Sequence, residues 1–167
     1  MWHIVRDLII IIAIAVTILF VYRVYGGALI SYFFGGVEGT MYLEGTPIVV
    51  TVADEPEEHR LGLSGVSSLG EFEGKLFVFS KEGFYHMWMK DMLIPIDIIW
   101  IDNKYQVVHI ERNVKPDTYP KTFVSPVPAR FVVEVNAYVT DNVSLAVGDK
   151  VTLPSHAVPW DLVRLTE

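Results

Sequence analysis

The sequence predicts an all-β domain, a sandwich or barrel-like fold with one short helix, preceded by a single N-terminal transmembrane helix. Three observations lead there. Short β-branched and aromatic runs recur along the chain, as in TPIVVTVA, KLFVFS, PIDIIWID and ARFVVEVNA. Turns rich in Gly, Pro, Asp and Asn separate them. The apolar excess is concentrated at the front, where Leu8 to Tyr22 holds no charge.

That front segment, LIIIIAIAVTILFVY, is shorter than the about 20 residues that span a bilayer, but Trp2, Ile4 and Val5 extend it on one side. On the other, Tyr22, Arg23 and Tyr25 suit the headgroup region. A cleaved signal peptide is the competing reading, with Arg6 as its basic start and Gly26-Gly27-Ala28 at the cut. Hydrophobicity resumes in LISYFF after the glycines, which favours an uncleaved anchor. The organisation expected is an anchor or signal segment over 1–25, a Gly-rich linker and leading strand over 26–46, the β domain over 47–153 and a C-terminal tail over 154–167.

Within the domain, Ile48 to Ala53 reads as a strand. DEPEEHRLGL then starts a brief helix, with Asp54 or Glu55 as cap, Pro56 in the first turn and Glu57 and Glu58 favouring the dipole; Gly62 ends it. Lys75 to Ser80 is a second apolar strand. YHMWMK and PIDIIWID read as two more, with Pro95 where a missing N–H is tolerated. Asp102-Asn103-Lys104 turns the chain into YQVVHIER. The proline-rich stretch 113–130 is an irregular loop, Arg130 to Asn136 a strand, VTDNVSL a short helical turn, and VGDKVTL a turn with a closing strand.

Composition excludes several functions. Without residues 1–36 the chain keeps 11 of its 13 Lys+Arg and 19 of its 20 Asp+Glu, a net charge of −8. A nucleic-acid partner needs a basic face and is not expected. The absence of cysteine removes disulfides, thiolate catalysis and Cys zinc sites. GLSG at 62–65 lacks the last glycine of a nucleophile elbow, and no phosphate-cradling or dinucleotide fingerprint is present. No cofactor is expected.

The richest window is YHMWMKDMLIPIDIIWID, Tyr85 to Asp102. A soft Cu(I) or Ag(I) site could draw on His86, Met87, Met89 and Met92. Strand alternation, however, puts His86 with Trp88 and Lys90 on one face and Met87 with Met89 on the other, so packing is the commoner use of these methionines. The polar residues of the apolar strands are harder to set aside. Asp97 shares the face of Ile99 and Ile101, and Glu134 shares its face with Asn136. Buried charges demand partners, so Lys90 is expected to be answered by Asp97 or Glu134, with Asn136 completing the hydrogen bonds. Such a group either pins strand register or forms a concave binding face of Trp88, Lys90, Asp97, Glu134 and Asn136.

Five blocks, TVADEPEEHRLGLSG, GKLFVF, WMKDMLIPIDIIWID, PARFVVEVNA and VGDKV, come in the order and spacing of the exported domain of unknown function 192 family, which the chain resembles over about residues 47–153. The resemblance implies a compact jelly-roll-like β-sandwich exported behind a signal or anchor, with no established activity. It thereby implies a single-pass protein of the cell membrane with its C-terminal domain extracytoplasmic. The chain departs from the family's usual Trp-Met-Lys-Asn-Thr by reading Trp88-Met89-Lys90-Asp91-Met92. It has Tyr138 where a glycine commonly follows Asn-Ala, Ser64 where Met is frequent, and lacks the cysteine pair of some relatives.

The function these readings favour is a non-catalytic binding module for a carbohydrate or envelope component. The alternatives are a glycoside-type hydrolase using Asp97 and Glu134, whose carboxyls would need to stand about 5–10 Å apart, and the soft-metal site.

Overall fold

The computed structural model describes residues 37–159. They lie in one unit, Gly36–Glu167. The expected transmembrane segment falls outside the described residues, among which no helix is long and apolar enough to cross a membrane.

Eight strands form in order: β1 (Glu38–Leu43), β2 (Thr46–Ala53), β3 (Glu73–Gly83), β4 (Met87–Trp88), β5 (Ile96–Ile101), β6 (Val107–Val114), β7 (Thr122–Phe123) and β8 (Ala129–Asn136). Two short helices, α1 (Pro56–Leu61) and α2 (Val139–Asn142), and two 3-10 turns complete the set. Six strands make one sheet in the order β1-β2-β3-β8-β5-β6, and β4 pairs with β7 as a separate ribbon. Every pairing in the large sheet is antiparallel except β2 with β3.

The expected two-sheet jelly-roll sandwich is therefore corrected to a mixed sheet with no closed barrel. The reason lies in the connection from β2 to β3. Glu55, Pro56 and Glu58 start α1, with the Glu58 carboxylate accepting from the Asp54 and Glu55 N–H groups. A helical crossover of this kind returns the chain parallel to the strand it left. The outer strands are each tied to a further segment: Tyr42 of β1 exchanges backbone bonds with Thr152, and Val107 of β6 donates to Asp149 O. The expected closing strand at VGDKVTL is thus reduced to isolated bridges at Lys150 and Thr152.

Both faces of the sheet are covered, and this is why IDIIWI and ARFVVEV are apolar almost throughout: β5 is buried along its whole length, and β8 at every residue but Asn136. On one face Met41, Ile48, Val50, Leu76, Ile99, Phe131, Val133 and Leu145 pack together. On the other are Phe77, Ile96, Ile98, Trp100 and Val132, with Met87, Met89 and Met92 packed against them.

Asp97 belongs to the first face and is fully buried. Its carboxylate accepts from Asn113 N at 2.8 Å, Thr140 N at 3.0 Å and Thr140 Oγ1 at 2.7 Å. It thus holds the end of β6, where Asn113 takes a positive φ, and the first turn of α2. Removing it strands three donors. We expect Asp97→Ala to cost about 3 kcal/mol or more, and Thr140→Val about 1–2 kcal/mol, because each leaves buried polar groups unpaired. Urea unfolding of both variants measures this, and a loss below about 0.5 kcal/mol for Asp97→Ala would contradict the assignment.

Candidate functional site

The crossover loop from α1 to β3 is laid across β8 and fastened there by two polar side chains. Asn136 Nδ2 donates to Leu69 O at 2.9 Å and to Gly70 O at 2.8 Å. Glu134, one step along the same face, accepts from the Leu63 backbone N–H. The loop is tied on its other side by Ser64 Oγ, which donates to Lys90 O at 2.8 Å, and by Gly65 N, which donates to Asp91 O. Gly62 makes the bend that brings the loop down. Its φ of 53° and ψ of −129° suit glycine alone, and a Cβ there would stand 3.5 Å from Glu134 Oε2.

A cleft opens where this loop meets β4. His59, Gly62, Leu63 and Ser64 form one side, His86, Met87, Trp88 and Met92 the other, and Phe77 and Glu134 also line it. Its volume is about 20 Å³, room for about one water-sized group. Glu134 is 3% exposed, and its Oε2 has no hydrogen-bond partner. Dehydration pushes its carboxyl up to about 8, against the opposing pull of Lys75 and the Leu63 N–H. Lys75 lies directly across from Glu134 in the β3–β8 register and is itself buried. Its ammonium is held below the usual lysine range by loss of water, with Glu58 and then Glu134 acting the other way.

The structure divides the residues proposed from the sequence. Trp88, 37% exposed, and Glu134 share the cleft. Asn136 stands on the Glu134 face but is engaged by the loop. Lys90 is exposed and answers neither carboxylate. The lysine opposite Glu134 is Lys75, near the start of β3, and nothing but the strand register marks it as the partner. Asp97 is paired with Val135, and Ile98 with Glu134, so the two carboxylates project from opposite faces of the sheet. They cannot flank one substrate bond, and the hydrolase pair is overturned. Of the soft-metal residues, His86, Met87 and Met92 border the cleft, whereas Met89 is buried in the core. Only Met87–Trp88 is strand there, so alternation does not keep His86 away from Met87 as expected. Among the described residues no three His, Asp or Glu side chains gather to hold a metal ion. His59 and the Gly62-Leu63 bend also border the cleft, and local sequence hardly marks them: the signal is a glycine between two leucines just past a capped helix.

A larger recess of about 400 Å³ lies between Val52, Phe79, Arg130 and His156, where Arg130 Nε donates to Phe79 O.

Fold and cleft together define a small, mainly β domain with a mixed sheet buried on both faces and one dehydrated carboxylate at a surface opening. The chain belongs to the DUF192 family, described as an uncharacterised ACR, whose model matches residues 40–153. Among the solved structures similar to it are two. One, from Sinorhizobium meliloti and described as a "putative transcription regulator", has a TM-score of 0.67 and 24% identity, over 70% of this chain and 94% of that one. The other, a protein of unknown function from Novosphingobium aromaticivorans, has a TM-score of 0.63 and 26% identity, over 70% and 84%. No curated protein matches.

The raised Glu134 carboxyl sets a pH dependence. Between 4.5 and about 8 the unfolded chain ionises this group while the folded chain keeps it protonated. Its contribution to stability is therefore full below 4.5 and lost as pH rises toward 8. The lowered Lys75 acts in the opposite sense, at a pH range ending at 10.5. Glu134→Gln is expected to match the wild type near pH 4 and to exceed it in stability at pH 8, by urea unfolding at both; parallel curves would refute the dehydration.

Proposed function

We propose that this domain is a non-catalytic binding module, anchored at the cell membrane by its N-terminal segment, with the domain extracytoplasmic and a carbohydrate or envelope component as its ligand. The observation that carries the reading is the pairing of a solvent-reachable indole, Trp88, with an unpartnered buried carboxylate oxygen, Glu134 Oε2, in one cleft. A flat aromatic face at the rim and a directional polar group below it are what a sugar or peptide group requires. Membrane attachment is supported by the uncharged run Leu8 to Tyr22 and its interfacial Tyr and Arg neighbours. The net charge of −7 speaks against a nucleic-acid partner.

A soft-metal role is the second reading, favoured by His86, Met87 and Met92 bordering the same cleft. It requires that one equivalent of Cu(I) stay with the full-length chain through desalting and be lost in Met92→Leu.

The binding reading is tested by titrating the full-length protein with a panel of N-acetylglucosamine oligomers and other envelope saccharides, following Trp fluorescence. Trp88→Ala is expected to weaken binding about tenfold or more, read by isothermal titration, while moving the melting temperature by no more than about 4 °C, since a surface change costs little. A panel without any response, or a collapse of the fold in the variant, would overturn the assignment.

A further inference from the structure

The hydrogen-bonding inventory of the cleft is lopsided, and its bias says what kind of group belongs there. On the loop side the donors are already engaged. Gly62 N donates to Glu58 O at 2.9 Å and Ser64 N to Leu61 O at 3.0 Å. Leu63 N is given to Glu134. Ser64 Oγ is given to Lys90 O, and Arg60 donates through Nε and a terminal nitrogen to Glu57 Oε2. His59 Nε2 stands 3.0 Å from Ala53 O, with its ring held against Phe79. The buried polar atom left without a partner is the carboxyl oxygen Glu134 Oε2, bordering a space that takes about one non-hydrogen atom. Once ionised, this carboxyl can only accept, so a group that displaces its proton must donate in return.

The walls narrow its chemistry further. Leu63, Phe77, Met87 and Met92 are apolar and line the way outward, and thioethers adapt to an alkyl chain. Trp88 at the rim offers an indole face, the aromatic surface that attracts a cation best. The charged groups around Glu134 are Lys75 on β3, and Glu58 and the engaged Arg60 on α1; the titratable His59 and His86 border the cleft.

From this arrangement, and resting on the binding role assigned above to the same cleft, we propose that its ligand carries a primary alkylammonium group, seated with its N–H bonds on Glu134 Oε2 and its carbon stem along Leu63, Phe77, Met87 and Met92 toward Trp88. An ammonium is the size of the water the space admits, and it supplies the donor and the charge that burial has denied this carboxylate. Two sources share the chemistry, a lysine-type side chain of a peptide and an amino sugar. Because Glu134 is held largely protonated at neutral pH, seating a cation there expels its proton to solvent.

The experiment uses the full-length protein in detergent micelles at pH 7. Isothermal titration with Nα-acetyl-lysine amide and with glucosamine is repeated in two buffers of different ionisation enthalpy, beside the ε-acetylated lysine derivative, N-acetylglucosamine and glucose. Binding of at least one free amine about tenfold tighter than its acetylated twin, with proton release, is the expected result. Whichever amine binds identifies the source. Glu134→Gln should abolish both the preference and the proton release, and Trp88→Ala should weaken binding without abolishing the proton release. Equal binding of glucosamine, N-acetylglucosamine and glucose would overturn the ammonium assignment while leaving a saccharide-binding role intact. Failure of every probe here would overturn the ammonium proposal, and the oligosaccharide panel separately decides the binding role on which it rests. A preference that survives in a folded Glu134→Gln would move the amine elsewhere and overturn the proposal.

Discussion

Burial of one sheet on both faces is the constraint from which the other features follow. Once β5 and β8 have no solvent on either side, each polar side chain they carry must find its partner inside the protein. Asp97 and Glu134 lie in neighbouring strands, one register position apart, and meet this demand in opposite ways. Asp97 collects three donors and becomes the post on which β6 and α2 are fixed. Glu134 collects one backbone donor and a lysine across the ladder, leaving an oxygen over. The same chemical group is saturated in the first case and left incomplete in the second.

The crossover loop supplies the difference. Because β2 and β3 run parallel, the chain must pass over the sheet between them, and it does so across the Glu134 face. Asn136 clamps the far end of this passage at Leu69 and Gly70. Gly62 turns its near end so that Leu63 N reaches the carboxylate and no side chain of its own fills the space beside Oε2. Ser64 and Gly65 then fasten the loop to the Lys90-Asp91 turn. A cleft thus arises from the way a connection is secured.

Several parts of this arrangement are legible in the chain itself. IDIIWI and FVVEVNA announce central strands by their unbroken apolar character, and a carboxylate in each announces a buried polar group. The cap around Pro56 places α1 to within a residue. Alternation alone puts Asp97 with Ile99 and Ile101, and Glu134 with Asn136, and the observed register agrees. Lys90 is the exception. Its sequence neighbour Trp88 does border the cleft, but the strand there is two residues long and leaves Lys90 in solvent.

Local sequence is enough to say which segments extend, which residues are driven out of water, and on which side of its own strand each one points. These depend on the two-residue period of a strand and on nearby turn chemistry. Which strands become neighbours is a matter for the assembled fold, because pairing is set by packing between residues far apart in the chain. That assembly placed Asp97 and Glu134 on opposite faces and brought Lys75 opposite Glu134 in place of Lys90. It also drew the Gly62-Leu63 bend over an oxygen that no local pattern marks as open.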